Sequence, residues 1–239
     1  MLMESRMYQQ PIATHIYELP IGPAGYGLTV PVRVLEQIGP LNKQYLQRMN
    51  NVLANSLAEN KRVAVFRFDL RLPSGSQDAY YQNYHISRFT DALNARLNAT
   101  QQKKHKENRR AYNPSLRFAW VRERHTSQAP HYHFFITLNK DAYHSFGNIA
   151  YTNLRIRQNA ASPSLYGMIV SAWASALSIL PEDTIGLVHV PKNAVYYLNA
   201  QSNNYTEQYQ AVMQRISYLA KVETKVSEGG SRSFGCSRR

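Results

Sequence analysis

LRFAWVRERHTSQAPHYHFFITL, residues 116–138, is the stretch whose reading decides the fold. It predicts two strands joined by the seven residues 124–130, because β-branched and aromatic residues flank a polar segment that ends in proline. Alternation along the second strand places His131, His133, Phe135 and Thr137 on one face and Tyr132, Phe134, Ile136 and Leu138 on the other. With the hairpin centred on Ser127, Glu123 lies directly across from His131 on the same face, while Phe118 and Trp120 join Phe134 and Ile136 on the opposite one. One face is thus expected to be core, and the other brings a carboxylate to two imidazoles. Such a set, Glu123, His131 and His133, has the reach and donor chemistry to hold one divalent ion, Mg²⁺ or Mn²⁺. The plain alternative is a cross-strand Glu–His ion pair with no metal.

On either side of this hairpin the chain reads as α+β, a central antiparallel sheet with flanking helices. Leu41, Tyr45, Met49, Leu53 and Leu57 recur every four residues and predict a packing helix. RVAVFRFDLRL comes next as a strand whose alternate face turns charged through Arg67, Asp69 and Arg71. Ile86, Phe89, Leu93 and Leu97 mark a second helix before the basic run KKHKENRR. Ser162-Pro163 predicts the start of a helix carrying Leu165, Ile169, Ala172, Trp173 and Ala176, with Pro181 as its stop. Short strands are expected around residues 187–190 and 195–198, and a last helix over 205–222. The proline-rich residues 1–40 read as an irregular arm, 41–226 as the folded domain, and 227–239 as a flexible basic tail.

Charge narrows the partners. Of 28 basic and 15 acidic residues in the 239, the first sixty hold four of each, so the whole excess of +13 lies in residues 61–239. A basic surface concentrates polyanions, and nucleic acid is the first to consider. Arg67, Arg71, Arg122, Arg124 and Lys225 are candidate phosphate contacts by position, and some of the 17 tyrosines could stack on unpaired bases. No apolar run approaches the roughly 18 residues of a spanning helix, so no membrane partner is expected. One cysteine and no secretory pattern make a reducing cytoplasm the expected setting.

The last helix adds a further element. Tyr209, Val212, Ile216 and Leu219 form its apolar stripe, and Tyr218 and Lys221 sit together beside it. Both H-x-H and Y-x-x-K arise by chance in a chain of this make-up less than about once each, so neither means much unless the fold brings them together. Brought together, they suit attack on a phosphodiester. The cation would polarise non-bridging oxygens, Tyr218 would be the nucleophile, and Lys221 would help form the phenolate or balance charge.

This set, E-x7-H-x-H followed by Y-x-x-K on a downstream helix, resembles the HUH endonucleases of the rolling-circle replication class, a likeness that implies an HUH/Rep-like, ferredoxin-like core for the α+β fold. The resemblance implies Glu123, His131 and His133 as metal ligands, Tyr218 as the nucleophile that nicks single-stranded DNA through a 5′-phosphotyrosine, and Lys221 as its helper. The strand VAVFRFDLRLP stands where that superfamily has its first motif, and matches it only as an apolar strand. ERHTSQAPHYHFFITLNKDAY, YYLNAQSNNYTEQYQAVMQRISYLAKVETK and the closing RSFGCS look like the YagK/YfjJ C-terminal domain family of inovirus gene-two-type proteins, over about residues 63–237. That likeness implies a replication initiator of a filamentous phage or integrated element, acting on single-stranded DNA or an origin hairpin. No Walker-type phosphate loop is present, so any helicase would come from the host. A non-catalytic DNA-binding regulator, and a transposase or relaxase of the same chemistry, are the rival expectations.

Overall fold

A computed structural model describes residues 14–20, 29–35, 40–74, 83–123, 131–221 and 232–237. Its centre is β3 (Arg62–Arg71), a strand buried without interruption from Val63 to Leu70 because it is covered on both faces. β5 (His131–Asn139) pairs with it on one side, and β4 (Arg117–Glu123) lies beyond β5. On the other side of β3 run two short strands, β6 (Val188–His189) and β7 (Val195–Asn199), and every pairing in this sheet is antiparallel. Taken with α2 (Tyr84–Lys106) and α4 (Leu165–Leu177), this is a β-α-β-β-α-β arrangement in which the β6/β7 position neighbours the first strand. The ferredoxin-like α+β expectation therefore holds.

Each face of the sheet has its own core. Phe66, Phe68, Trp120, Tyr132 and Phe134 pack against Phe89, Leu93 and Leu97 of α2 and Ile169, Ala172 and Trp173 of α4. The indole N–H of Trp173, buried among them, donates to the Arg71 carbonyl at 2.9 Å, which removes the cost of burying that group. On the opposite face Val63, Val65, Ala119, Val121 and Phe135 meet Leu46, Met49, Leu53 and Leu57 of α1 (Lys43–Glu59) and Tyr209, Val212, Met213 and Ile216 of α6 (Tyr205–Ser217). The hairpin register is the expected one, with Glu123 opposite His131 and Trp120 opposite Phe134.

Several helix limits differ from the sequence reading. α2 continues into the basic run as far as Lys106, since lysine is a good helix former and a cation near the carboxyl end complements the helix dipole. α4 is capped by Ser164, whose hydroxyl accepts from the Gly167 N–H at 3.1 Å, rather than by Ser162-Pro163. It ends at Ser178 in the left-handed region (φ 59), and Pro181, instead of stopping it, opens the short α5 (Pro181–Thr184). A helix between the two halves, α3 (Ile149–Arg157), has no counterpart in the sequence reading. α6 stops at Ser217, short of Val222, and the chain tightens into a 3-10 turn over Tyr218–Ala220.

Within the expected arm and tail, residues 14–20, 29–35 and 234–236 form strands. β1 (Thr14–Pro20) and β2 (Thr29–Leu35) form an antiparallel pair from Thr14↔Leu35 to Pro20↔Thr29, so this part of the arm is a hairpin. Its prolines are compatible with strands because a two-stranded ribbon has only edges. In place of a wholly flexible tail, β8 (Phe234–Cys236) adds to the outer edge of β4. Phe234 stacks on Tyr45 at 4.3 Å, and a Cβ on Gly235 would come within 2.6 Å of the Trp120 ring, so only glycine lets this strand lie down. Among the described residues no single helix is long and apolar enough to cross a membrane.

Candidate metal centre and its tyrosine

Three strands deliver side chains to one end of the α1/α6 face. β5 supplies His131 and His133; in register with them stand Arg71 and Asp69 on β3, and Glu123 and Val121 on β4. Directly opposed residues share a face, so the period-2 pleat alone gathers a charged cluster here. Glu123 is at its centre, 2 % exposed. Its Oε2 lies 2.9 Å from His133 Nε2 and 4.0 Å from His131 Nε2. One ligand atom from each of the three residues falls within 4.8 Å of the others, a spacing that fits a single cation held by two nitrogens and one oxygen. The two rings meet edge-on, 4.7 Å apart.

Asp69 stands behind this set, and the sequence reading assigns it no role. Its Oδ1 is 2.5 Å from His133 Nδ1 and its Oδ2 is 3.1 Å from His189 Nδ1 on β6. Arg67 contacts the same Oδ1 and the Phe68 carbonyl, and its Nη2 lies 2.8 Å from His133 Nδ1. An imidazole nitrogen cannot both donate to a carboxylate and accept from a guanidinium. With Asp69 ionised, Nδ1 carries the proton and donates to it, leaving Arg67 anchored by Asp69 and the backbone. That fixes the tautomer and turns Nε2 towards Glu123, as a carboxylate does for a metal-ligating histidine.

The protonation equilibria follow from this geometry. Burial alone would raise the Asp69 pKa, but the hydrogen bond with His133 and the charge of Arg67 outweigh it and hold the carboxyl well below the usual range. Burial alone would lower His133, and its hydrogen bonds with Asp69 and Glu123 reverse that, so its pKa is raised. His131 is lowered, first by burial and then by the neighbouring His133 charge. Its hydrogen bonds with the two carboxylates therefore favour the protonated form of His133, and a cation bound at Nε2 would compete with that proton.

The tyrosine arrives from α6. Tyr209, Val212, Ile216 and Leu219 are buried as the stripe predicts, and Tyr218 falls beside it at the start of the 3-10 turn. Its ring is 6.0 Å from that of His133, edge to face, and the side chain is 43 % exposed. A nucleophile needs this combination of contact with the centre and access from outside. Lys221 comes where the chain leaves the turn, its N–H donating to the Tyr218 carbonyl at 3.2 Å and its backbone bridging to Leu41.

The arginines divide. Arg71 is exposed at the end of β3, in register with His131, as a phosphate contact requires. Arg67 is 5 % exposed and committed to Asp69, so it is a structural cation and not a phosphate contact. Arg122 is 6 % exposed and alternates onto the opposite face, beside Tyr132, which removes it from the cluster. Strand alternation assigns a face without saying what covers it, which is why both pass as accessible on sequence alone. Arg124 and Lys225 lie outside the described residues. The polar alternation Arg67-Asp69-Arg71 is a visible signal for Asp69, and its partner can be named only once β3 is known to sit beside β5.

Comparison with known proteins places this chain in a family. Two relatives from Escherichia coli (strain K12), both described as uncharacterized, resemble the chain over most of their length. YagK is 35% identical over 202 residues, covering 82% of this chain and 92% of its own. YfjJ is 36% identical over 207 residues, covering 81% and 93%. No solved structure gives a significant match. The model of the YagK/YfjJ C-terminal domain matches residues 32–237, a span that takes in the sheet, the Glu–His–His cluster, Tyr218 and the β8 edge strand, and the chain belongs to that family.

Proposed function

We propose that the protein is a metal-dependent, single-tyrosine nuclease that cuts and rejoins single-stranded DNA, in the manner of HUH endonucleases, and initiates replication of a phage or integrated element in a bacterial cytoplasm. The observation that carries this reading is the Tyr218 ring against His133, itself part of a three-ligand cluster. Glu123, His131 and His133 would hold a divalent cation, which supplies charge stabilisation to the non-bridging phosphate oxygens. Asp69 keeps the His133 tautomer. The Tyr218 phenolic oxygen forms a bond to phosphorus as its proton leaves, the P–O3′ bond breaks, and O3′ takes up a proton. The product is a 5′-phosphotyrosine and a free 3′-hydroxyl. Reversal rejoins the strand without an outside energy source. Lys221, three residues on, supplies positive charge near the phenolate.

The test is incubation of purified protein with Mn²⁺ and single-stranded oligonucleotides from the element's own origin region. A covalent protein–DNA species that survives denaturation is expected, and Tyr218→Phe should abolish it. One observation favours a second reading, a DNA-binding regulator without catalysis. Arg67 and His133 contact Asp69, and His133 also contacts Glu123, so both carboxylates have partners without a cation. A binder of that kind would shift the DNA and leave every oligonucleotide intact.

A further inference from the structure

The closing motif RSFGCS, residues 232–237, is held from several sides. Phe234 stacks on Tyr45, Gly235 passes beneath Trp120, and the Ser233 and Tyr45 hydroxyls share a hydrogen bond of 2.9 Å. The Ser233 carbonyl accepts from the Arg122 N–H at 2.8 Å, and the Arg232 carbonyl accepts from Asn83 Nδ2, also at 2.8 Å. Within this well-anchored segment Arg232 alone is exposed. A residue that served only to keep the surface wet would need no such fixing.

The anchoring gives Arg232 a definite neighbour. β8 runs antiparallel to β4 with Phe234 opposite Val121, and the Arg122–Ser233 bond carries that register one residue further, so the backbone of Arg232 comes next to Glu123. Glu123 is opposite His131, and His131 is opposite Arg71. Four residues thus form one row across the end of the sheet, in the order Arg71, His131, Glu123, Arg232, with about 4.8 Å between neighbouring strands. An arginine stands at each end of the row and two of the candidate cation ligands lie between. Arg71 is exposed as well, and its charge is near enough to His131 to disfavour the imidazolium. His133, with the Tyr218 ring against it, is two residues further along β5.

We propose that Arg232 is a phosphate-binding residue of the site, the counterpart of Arg71 across the ligand row, so that a DNA strand crosses the end of the sheet along that row with a guanidinium on its backbone at either side of the cation. The assignment rests on the nuclease reading for what happens in the middle of the row, and on the row itself for its two ends. Arginine suits this duty because its planar fork offers two hydrogen bonds to one phosphate and keeps its charge at any working pH. Phosphate contacts of this kind fix position without reading sequence, so the pair decides where the strand lies and not which bases it carries. Sequence pattern reaches Arg71 through the charged face of its own strand. It passes over Arg232, because three residues of β8 give no sign of lying beside β4.

Binding of fluorescein-labelled oligo(dT) is measured by anisotropy over a range of salt with saturating Mn²⁺, in a Tyr218→Phe background so that no covalent species forms. Arg232→Gln should bind about fivefold more weakly at about 0.1 M salt and lose about 0.7 from the slope of log affinity against log salt, the mark of one lost phosphate contact on a single strand. Arg71→Gln should do the same. Calorimetric titration without DNA should show both variants binding Mn²⁺ about two- to fivefold more tightly, since a positive charge beside the cation has gone. Arg110→Gln, at the other end of the sheet, should leave Mn²⁺ affinity as it was. Thermal midpoints should match throughout, all three arginines being exposed. An unchanged salt slope in Arg232→Gln overturns the assignment. So does a lower slope with unchanged Mn²⁺ affinity, which would put Arg232 on DNA away from the ligand row. Both expected changes in a protein whose Tyr218 forms no adduct uphold the row and remove the nuclease. An adduct formed by the Tyr218 protein, with the slope unmoved by Arg232→Gln, keeps the nuclease and removes Arg232 from the site. A protein that ignores oligo(dT) removes both.

Discussion

Along one face of the sheet, two ends of the same strand have opposite chemistry. Phe135 and Thr137 of β5 lie under α1 and α6 among mostly apolar side chains, where the few polar groups are paired with one another, Thr137 with Ser56 at 2.6 Å and Arg117 with Glu59. His131 and His133, on the same side of the same strand, lie among Asp69, Glu123 and Arg71. The pleat treats the two ends identically. What separates them is cover: α6 closes the first end and, by tightening at Tyr218, ends over the second, so that a side chain and not a helix forms the roof. The first end should therefore govern folding and the second should govern chemistry, and each can be perturbed without the other.

The largest effect is expected at the dry end. Phe135→Ala removes a fully buried ring and should cost about 3–5 kcal/mol in chemical denaturation. Whatever population stays folded should retain Mn²⁺ binding, since no ligand is touched. At the polar end, Mn²⁺ at a hundredfold over its dissociation constant should raise stability by about 2.7 kcal/mol, and Glu123→Gln should erase most of that gain. Calorimetric scans with and without the ion check both.

A smaller effect is expected from Asp69→Asn, about 10–100-fold in Mn²⁺ affinity by titration calorimetry, because the proposed ligand His133 loses its orienting partner. The same variant tests the electrostatics of the metal-free protein. A carboxyl held below its ordinary value contributes stability that is complete above an unfolded pKa of about 4 and is lost as pH falls through the depressed folded value. The stability gap between wild type and Asp69→Asn should therefore persist at neutral pH and close on acidification below about pH 4. Equal acid unfolding profiles would show that Asp69 is not held in this way. The smallest stability effect belongs to Tyr218→Phe, within about 0.5 kcal/mol, since its hydroxyl is on an exposed side chain. A large loss of stability there would mean that the tyrosine is packing and not poised.

The contrast also explains what can be read from the chain alone. Alternation in 116–138 yields the Glu123–His131 register because hairpin partners are close in sequence and one face must be buried. The α6 stripe yields the placement of Tyr218 relative to its own helix for the same reason of periodicity. Asp69, His189 and the burial of Arg67 and Arg122 depend on which strands become neighbours, which local pattern does not encode. β8 is illegible in the sequence because three residues carry almost no periodic signal, and its place is set by Gly235 passing beneath Trp120.

β8 has a consequence beyond packing. Lying against Ala119, Trp120 and Val121, with the outer backbone groups of Phe118 and Arg122 bonded to Ser237 and Ser233 on either side of it, β8 blunts a margin next to the candidate ligand Glu123 that would otherwise template pairing with a neighbouring copy. Resistance to edge pairing and the integrity of the candidate cation site should therefore depend on the same short clasp, and fail together when it is lifted.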